Sequence, residues 1–506
     1  MLDRARLRTL EPPAWALWGV LMIGLLTKWT RSPLAWVVVL VALATLADLW
    51  VLSGRWMYVR GYEVEWIARG LAGGHGFSFP GNHQWLFAHE TGDPEQYFAT
   101  AWQAPLYPAW VALWLRLLGE GGLLVVMVGQ VLAVRATCVL VYVLGRRLFT
   151  PTVGLAGAAV LTLLPHSHVM GTGQVGSAAA AGLLVTLSAL MGLWCMDRPS
   201  VRRAAVWGAL LGVTALVYAG TQLLAPAAAV VLLWRGWGGG RAGERGDGDR
   251  SRWAWRPAFA LAAATVLVVS PWTLRNYATF GELVPVRNGL GQIVHMGNPM
   301  VVQTYRPGVR FTDAPTAAPP WRAASLAEAL DRVRRDEQAR AELTAHARAV
   351  VEQEAPPEYA TMNEAQRDAL YTAQSKRFML SYPLLTAELS VRKLTGFFWS
   401  NWRLPGAVMV LALAGLLLVR WDARVWLMVA WVAVFALPYA VTFPWFYRYR
   451  YPVEPLVAVF AGVAVVAAVW GVAAWTAAAL DRLEGERAAR PTTAVPGRLS
   501  ASSRRA

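Results

Sequence analysis

Long apolar blocks dominate this chain, with little helical or strand alternation between them. Ten blocks, at 33–53, 123–145, 152–172, 175–196, 204–221, 222–235, 257–274, 404–420, 425–442 and 453–480, reach or approach the roughly 20 residues a helix needs to cross a bilayer. The block at 222–235 is the shortest of them. Lipid offers no partner to an unpaired backbone group, so each block is predicted to be a helix. An earlier run, 14–29, is apolar but short and is followed by Lys28 and Arg31. If it spans, the N-terminus is external; if it lies in the interface, the N-terminus is cytoplasmic. The pattern predicts an all-α polytopic membrane protein with about 10–11 transmembrane helices. Residues 1–480 form its membrane domain, and 481–506 form a polar, disordered cytoplasmic tail.

Two stretches interrupt the blocks. Residues 105–118 are apolar but too short to span, and Trp110 and Trp114 share a face at i, i+4. That pattern predicts a helix lying in the external interface. The largest polar segment is 276–392. It opens on turn-rich sequence, and Ala324 to Glu352 is rich in Ala, Glu and Arg with no strong apolar face. The expectation there is a solvated helix. Residues 363–392 carry an apolar stripe of Leu370, Phe378, Leu380, Leu384 and Leu389, expected to return the chain to the membrane surface.

Composition agrees: 56% of residues are hydrophobic and 15% charged, against about 25% charged in soluble domains. The net charge of +16 does not imply nucleic acid, because the basic residues cluster in short connections and the tail, where they set topology. Arg146–Arg147, Arg198 with Arg202–Arg203, the Gly/Arg-rich 235–256 loop, and Arg420 with Arg424 fall on one face, the cytoplasmic one. The opposite, external face receives 54–122, 173–174, 276–392 and 443–452. Residues 54–104 carry three arginines against five Asp or Glu, in keeping with that side. Cys138 and Cys195 lie in apolar runs and read as small buried hydrophobes. They form neither a disulfide framework nor a zinc spacing. No small-residue cleavage site follows the 14–29 run, so no signal peptide is expected.

No P-loop, dinucleotide fingerprint, nucleophile elbow or metal-ligand cluster occurs. The informative stretch follows the 33–53 block: Gly61-Tyr62-Glu63-Val64-Glu65-Trp66-Ile67-Ala68-Arg69-Gly70-Leu71, then Gly76-Phe77-Ser78 and Thr100-Ala101-Trp102-Gln103-Ala104-Pro105-Leu106-Tyr107-Pro108. Two later segments share its face: Pro271-Trp272-Thr273-Leu274-Arg275-Asn276-Tyr277, continuing to Gly297-Asn298-Pro299, and Arg448-Tyr449-Arg450-Tyr451-Pro452-Val453-Glu454. In order and placement, from about residue 33 to 470, these resemble bacterial protein-mannosyltransferases and aminoarabinose transferases. Those are family-39-like enzymes of the GT-C glycosyltransferase class.

The resemblance implies a GT-C-like helical bundle and a transfer reaction at the external face of the cell membrane. A sugar leaves a polyprenyl-phosphate donor for a glycan, lipid or protein acceptor, and an acidic residue of the first external loop acts as general base. A carboxylate can take the acceptor's proton, and arginines suit a departing phosphate. Glu63 and Glu65 compete for the base role: the family acid aligns best with Glu63, while Glu65, also a candidate pocket residue, has Arg69 at i+4 as an ordinary partner. Tyr62 stands where many relatives carry Asp. Arg275, Arg448 and Arg450 are the expected phosphate ligands, with Arg287 a further candidate; lipid-headgroup anchoring beside Trp272, Trp445 and Tyr447 is the alternative. Trp102, Tyr107, His166 and His168 are candidates for the acceptor site. Arg135, inside an apolar block, must face a cavity or a partner. No metal ligand set is expected, although a divalent cation is left open. The competing readings are a lipid or solute transporter or flippase, which would show repeated halves and broken spans, and a non-catalytic assembly protein.

Overall fold

The computed structural model describes residues 32–81, 93, 95–238, 255–306, 308–309, 312, 318–399, 403–442 and 447–489. The 14–29 run, most of the 235–256 loop, Trp445 and the chain beyond 489 lie outside the described residues.

All ten apolar blocks are helical, and their lengths sort them. The chain opens on α1 (Pro33–Arg55). A connecting loop follows, with α2 (Glu63–Ala72), an antiparallel pair β1 (Ser78–Pro80) and β2 (Tyr97–Ala99), and α3 (Leu106–Leu118). Next come α4 (Gly122–Leu148), α5 (Pro151–Leu163), α6 (Pro165–Thr172), α7 (Ala178–Asp197), α8 (Val201–Val217), α9 (Leu224–Gly238) and α10 (Trp255–Phe280). Among the described residues six helical stretches are long and apolar enough to cross a membrane, or seven if α5 and α6, bent by 58° at their junction, count as one. The remaining predicted spans are shorter helices. The bend has a local cause: Pro165 opens α6 and leaves Leu164 extended.

Helix α3 folds back on α4 instead of continuing it. Gly119 between them has φ +57, and a Cβ on Gly122 would lie 2.2 Å from the Trp114 carbonyl oxygen. Trp110 and Trp114 meet edge to face at 5.3 Å, as their spacing predicts.

The 276–392 segment departs most from expectation. After α10 come α11 (Leu290–His295), a π-turn at Met296–Met300, α12 (Val301–Tyr305), α13 (Leu326–Arg335), α14 (Glu337–Glu354), α15 (Glu364–Ser381) and α16 (Pro383–Trp399). The expected solvated helix is two helices with a shared core. Leu326, Leu330, Val333, Leu343, Val350 and Val351 are buried with Trp321, Tyr371, Phe378 and Leu389. On α13 Leu326, Ala329, Leu330 and Val333 share one buried face, and the charged residues interleaved with them hid it from a reading by composition. The break lies at Asp336, whose carboxylate caps α14 by accepting from the Ala339 N–H. Of the predicted apolar stripe, Phe378 and Leu389 enter this core, whereas Leu380 and Leu384 are exposed.

The chain closes with α17 (Arg403–Leu418), α18 (Ala423–Ala436), the short α19 (Tyr447–Arg450) and α20 (Glu454–Ala489), so the first residues of the predicted tail are helical. The main core joins α4, α5, α7, α8, α18 and α20. Small residues let backbones approach in such bundles: a Cβ on Gly208 would meet the Leu261 carbonyl oxygen of α10 at 2.1 Å.

Candidate functional site

Glu63 opens α2, directly after Tyr62, whose φ of +46 is the one positive value at a non-glycine among the described residues. Such a backbone costs about 1–3 kcal/mol and persists only where the surroundings impose it. Here Glu65 imposes it. Its carboxylate accepts from the Gly61 N–H at 2.8 Å and from Arg69 at 3.0 and 2.7 Å, and Arg69 also bridges to Glu120. Gly61 is pressed against Val175, where a Cβ would lie 2.9 Å from the Val175 Cβ. Glu65 is therefore committed to structure. Glu63 is half-buried, makes no hydrogen bond among the described residues, and attracts Arg448 electrostatically.

Around this pair stand the candidates Arg287 and Trp102 and three tyrosines, 218, 439 and 449, that sequence reading missed. Arg448 reaches the Tyr449 hydroxyl at 3.3 Å, and Tyr449 stacks on Tyr439 at 5.7 Å. The Tyr439 and Tyr218 hydroxyls are 3.1 Å apart, and Tyr218 feels the charges of both Arg448 and Arg287. Arg287 lies 4.8 Å over the Trp102 ring. Gly289, at φ +82, backs that ring; a Cβ there would fall 2.0 Å from it. Glu63, Arg448, Arg287 and Trp102 thus share one aromatic-walled neighbourhood.

The other predicted residues sit elsewhere. Arg275 donates to the carbonyls of Thr100 (2.8 Å) and Phe77 (3.0 Å) and lies over the Trp272 ring, stapling the first loop to α10. Arg450 is buried, donating to Glu454 at 2.8 Å and to the carbonyls of Phe397 and Phe398. Tyr107 donates to Gln130, which in turn holds the Met170 and Gln174 carbonyls.

His166 and His168 each meet an acid and an arginine, on different sides of α6. His166 Nδ1 is 2.8 Å from Glu454 and 3.5 Å from Arg450. His168 Nδ1 is 2.6 Å from Asp48 of α1, which is bonded to Arg135 of α4. Arg135 has a partner, as its burial demanded, and the carboxylates that no nearby sequence supplied come from distant helices. Asp48 was detectable as a charge inside an apolar run. Breaking a buried pair leaves an uncompensated charge, at roughly 3–5 kcal/mol. Arg135→Ala is therefore expected to lower the thermal transition in detergent sharply, and an unchanged transition would contradict this account of the triad. Among the described residues no group of three His, Cys, Asp or Glu could hold a metal ion.

The segment between α10 and α17 is tied to this site by buried polar bonds. Asn298, in the π-turn, donates to the Val441 carbonyl at 2.6 Å and accepts from the fully buried Lys393 at 3.0 Å. Burial pushes Lys393 down to about 7. Asp368 accepts from the N–H groups of Gly291 and Gln292. Glu364 accepts from the Thr100 hydroxyl at 2.6 Å and from the Ala101 N–H. Burial pushes its carboxyl up to about 7, against those two bonds. The folded state therefore holds the Glu364 proton more firmly than the unfolded chain. This contribution is full below pH about 4.5, falls as pH rises to about 7, and is flat above. Glu364→Gln should flatten that slope in the unfolding midpoint measured from pH 4 to 8. An unaltered slope would refute the assignment.

Residues 103–272 match the family described as dolichyl-phosphate-mannose-protein mannosyltransferase. No curated protein matches the chain. Among solved structures, the Archaeoglobus fulgidus oligosaccharyltransferase in complex with zinc and sulfate is similar over 89% of this chain, at 14% identity and a TM-score of 0.48. The same organism's enzyme with an inhibitory peptide and a dolichol-phosphate is similar over 92%, at 12% identity and a TM-score of 0.48. The chain spans about half the length of those proteins, 52% and 53% respectively.

Proposed function

We propose that the protein is a membrane glycosyltransferase. It moves a sugar from a polyprenyl-phosphate donor to an acceptor hydroxyl of a protein, lipid or cell-envelope glycan at the external face. Glu63 takes the acceptor's proton as the new bond to the anomeric carbon forms. Arg448, with Arg287 beside it, meets the phosphate that leaves. Trp102 and the tyrosines 218, 439 and 449 wall the sugar. Arg275 and Arg450 hold the walls in place through backbone carbonyls, so we assign them positioning roles.

One observation carries the reading. Glu63 is a half-buried carboxylate with no hydrogen bond among the described residues, and it lies within electrostatic reach of Arg448, whereas Glu65, Glu364 and Glu454 are each hydrogen-bonded. The mannosyltransferase match over 103–272 supports the transfer reading, although of the residues assigned roles here it contains only Tyr218. Mass spectrometry of envelope lipids and glycans, with and without the gene, tests it. Loss of the gene should accumulate one polyprenyl-phosphate sugar and remove its product. An unchanged lipid and glycan profile would count against transfer and leave the assembly or transport readings.

A further inference from the structure

We propose that Lys393 of α16 is a positioning residue of the transfer site: through Asn298 it clamps α16 to the turn that carries Tyr439. This role rests on the glycosyl-transfer reading and deepens it.

Lys393 is fully buried, and Asn298 Oδ1, at 3.0 Å, is its one hydrogen-bond partner among the described residues. No described carboxylate pairs with it, and burial holds its amine down at about 7. Lysine is almost never fully buried without a partner charge. An apolar side chain of similar length would fill the space without that desolvation cost. What the amine adds is a directed bond.

Asn298 sits in the π-turn, an irregularity that often marks functional sites. Its amide accepts from Lys393 and donates to the Val441 carbonyl at 2.6 Å, so one side chain joins α16 to the backbone two residues past Tyr439. One helical turn beyond Lys393, Phe397 stacks on the Tyr439 ring at 5.0 Å. Helix α16 and the turn at Leu437–Ala440 are thus joined twice, by a polar bridge and by stacked rings. Stacked rings can slide over one another, whereas hydrogen bonds fix distance and angle. The polar bridge therefore sets where Tyr439 lies, and with it the hydroxyl that meets Tyr218 at 3.1 Å. The same end of α16 offers the Phe397 and Phe398 carbonyls to Arg450, which shares a short helix with Arg448. Lys393 registers α16 against both the tyrosine wall and the turn that presents Arg448.

The test is single-turnover release of polyprenyl monophosphate by the full chain in lipid nanodiscs, from polyprenyl-phosphate mannose and other polyprenyl-phosphate sugars. Monophosphate binding and the thermal transition are read beside it. Lys393→Met keeps the bulk of the side chain and loses the bond. A misplacement of about 1 Å can cost about 100-fold in rate, so release should slow roughly 10- to 100-fold in a folded chain that binds monophosphate as the wild type does. Lys393→Gln, which keeps an N–H donor for Asn298 without the charge, should restore most of the rate. Asn298→Asp serves if the methionine chain fails to fold. It keeps an acceptor for Lys393 and loses the donor to Val441, so it should slow release likewise. Wild-type release by folded Lys393→Met or Asn298→Asp would overturn this inference alone. So would Lys393→Gln as slow as Lys393→Met, or a slowed Lys393→Met matched by an equal loss of monophosphate binding, which would make Lys393 a phosphate ligand. A wild-type chain that releases no monophosphate from any of these donors would overturn the glycosyl-transfer reading as well.

Discussion

A Glu63→Gln chain should bind the donor lipid and transfer sugar roughly 10²–10⁴-fold more slowly, the range a general base contributes. The amide keeps the size of the side chain and cannot take a proton. Glu63 makes no hydrogen bond among the described residues, so the substitution removes no structural contact. The thermal transition should therefore stay close to that of the wild type. Glu65→Gln offers the contrast. It weakens the bonds to Gly61 and Arg69 that hold the strained Tyr62 backbone, so its main effect should be on stability. Transfer at the wild-type rate by Glu63→Gln would sink the base assignment.

Arg448→Ala carries the second large effect. An electrostatic donor aimed at developing charge is worth roughly 10²–10³-fold in kcat, and the loss should appear more in kcat than in KM for the donor. Arg448→Lys should recover part of it, because the charge survives without the planar fork. An Arg448→Ala chain with lowered stability and an unaltered turnover would identify a headgroup anchor instead. Arg450→Ala provides a reference. It strips Glu454 and the Phe397 and Phe398 carbonyls of a buried partner, so loss of fold should precede any kinetic effect.

Spans were legible because long apolar blocks report directly on helices in lipid. Their number was not, since α8, α9 and α17 are helical but short. The 276–392 segment was misjudged for a different reason. Its core gathers Trp321 from a loop and Leu343 and Phe378 from separate helices around the apolar face of α13, and the charged residues interleaved on α13 hid that face in the sequence. Of the site, the loop motif pointed to Glu63 and the charge rule pointed to Arg135. What each arginine contacts is decided by tertiary structure. Arg275 and Arg448 look alike in sequence, yet one is held by two backbone carbonyls and the other faces a carboxylate. The acids that meet His166 and His168 come from residues 48 and 454 and are brought to them only by folding.

The most direct test is single-turnover transfer by the purified chain in nanodiscs, from polyprenyl-phosphate mannose and other polyprenyl-phosphate sugars. Release of polyprenyl monophosphate is followed for the wild type and for Glu63→Gln. The account predicts release with at least one sugar by the wild type, and release slowed at least 100-fold by Glu63→Gln, with donor binding retained. Equal release by both chains, or donor binding without release by either, would contradict it.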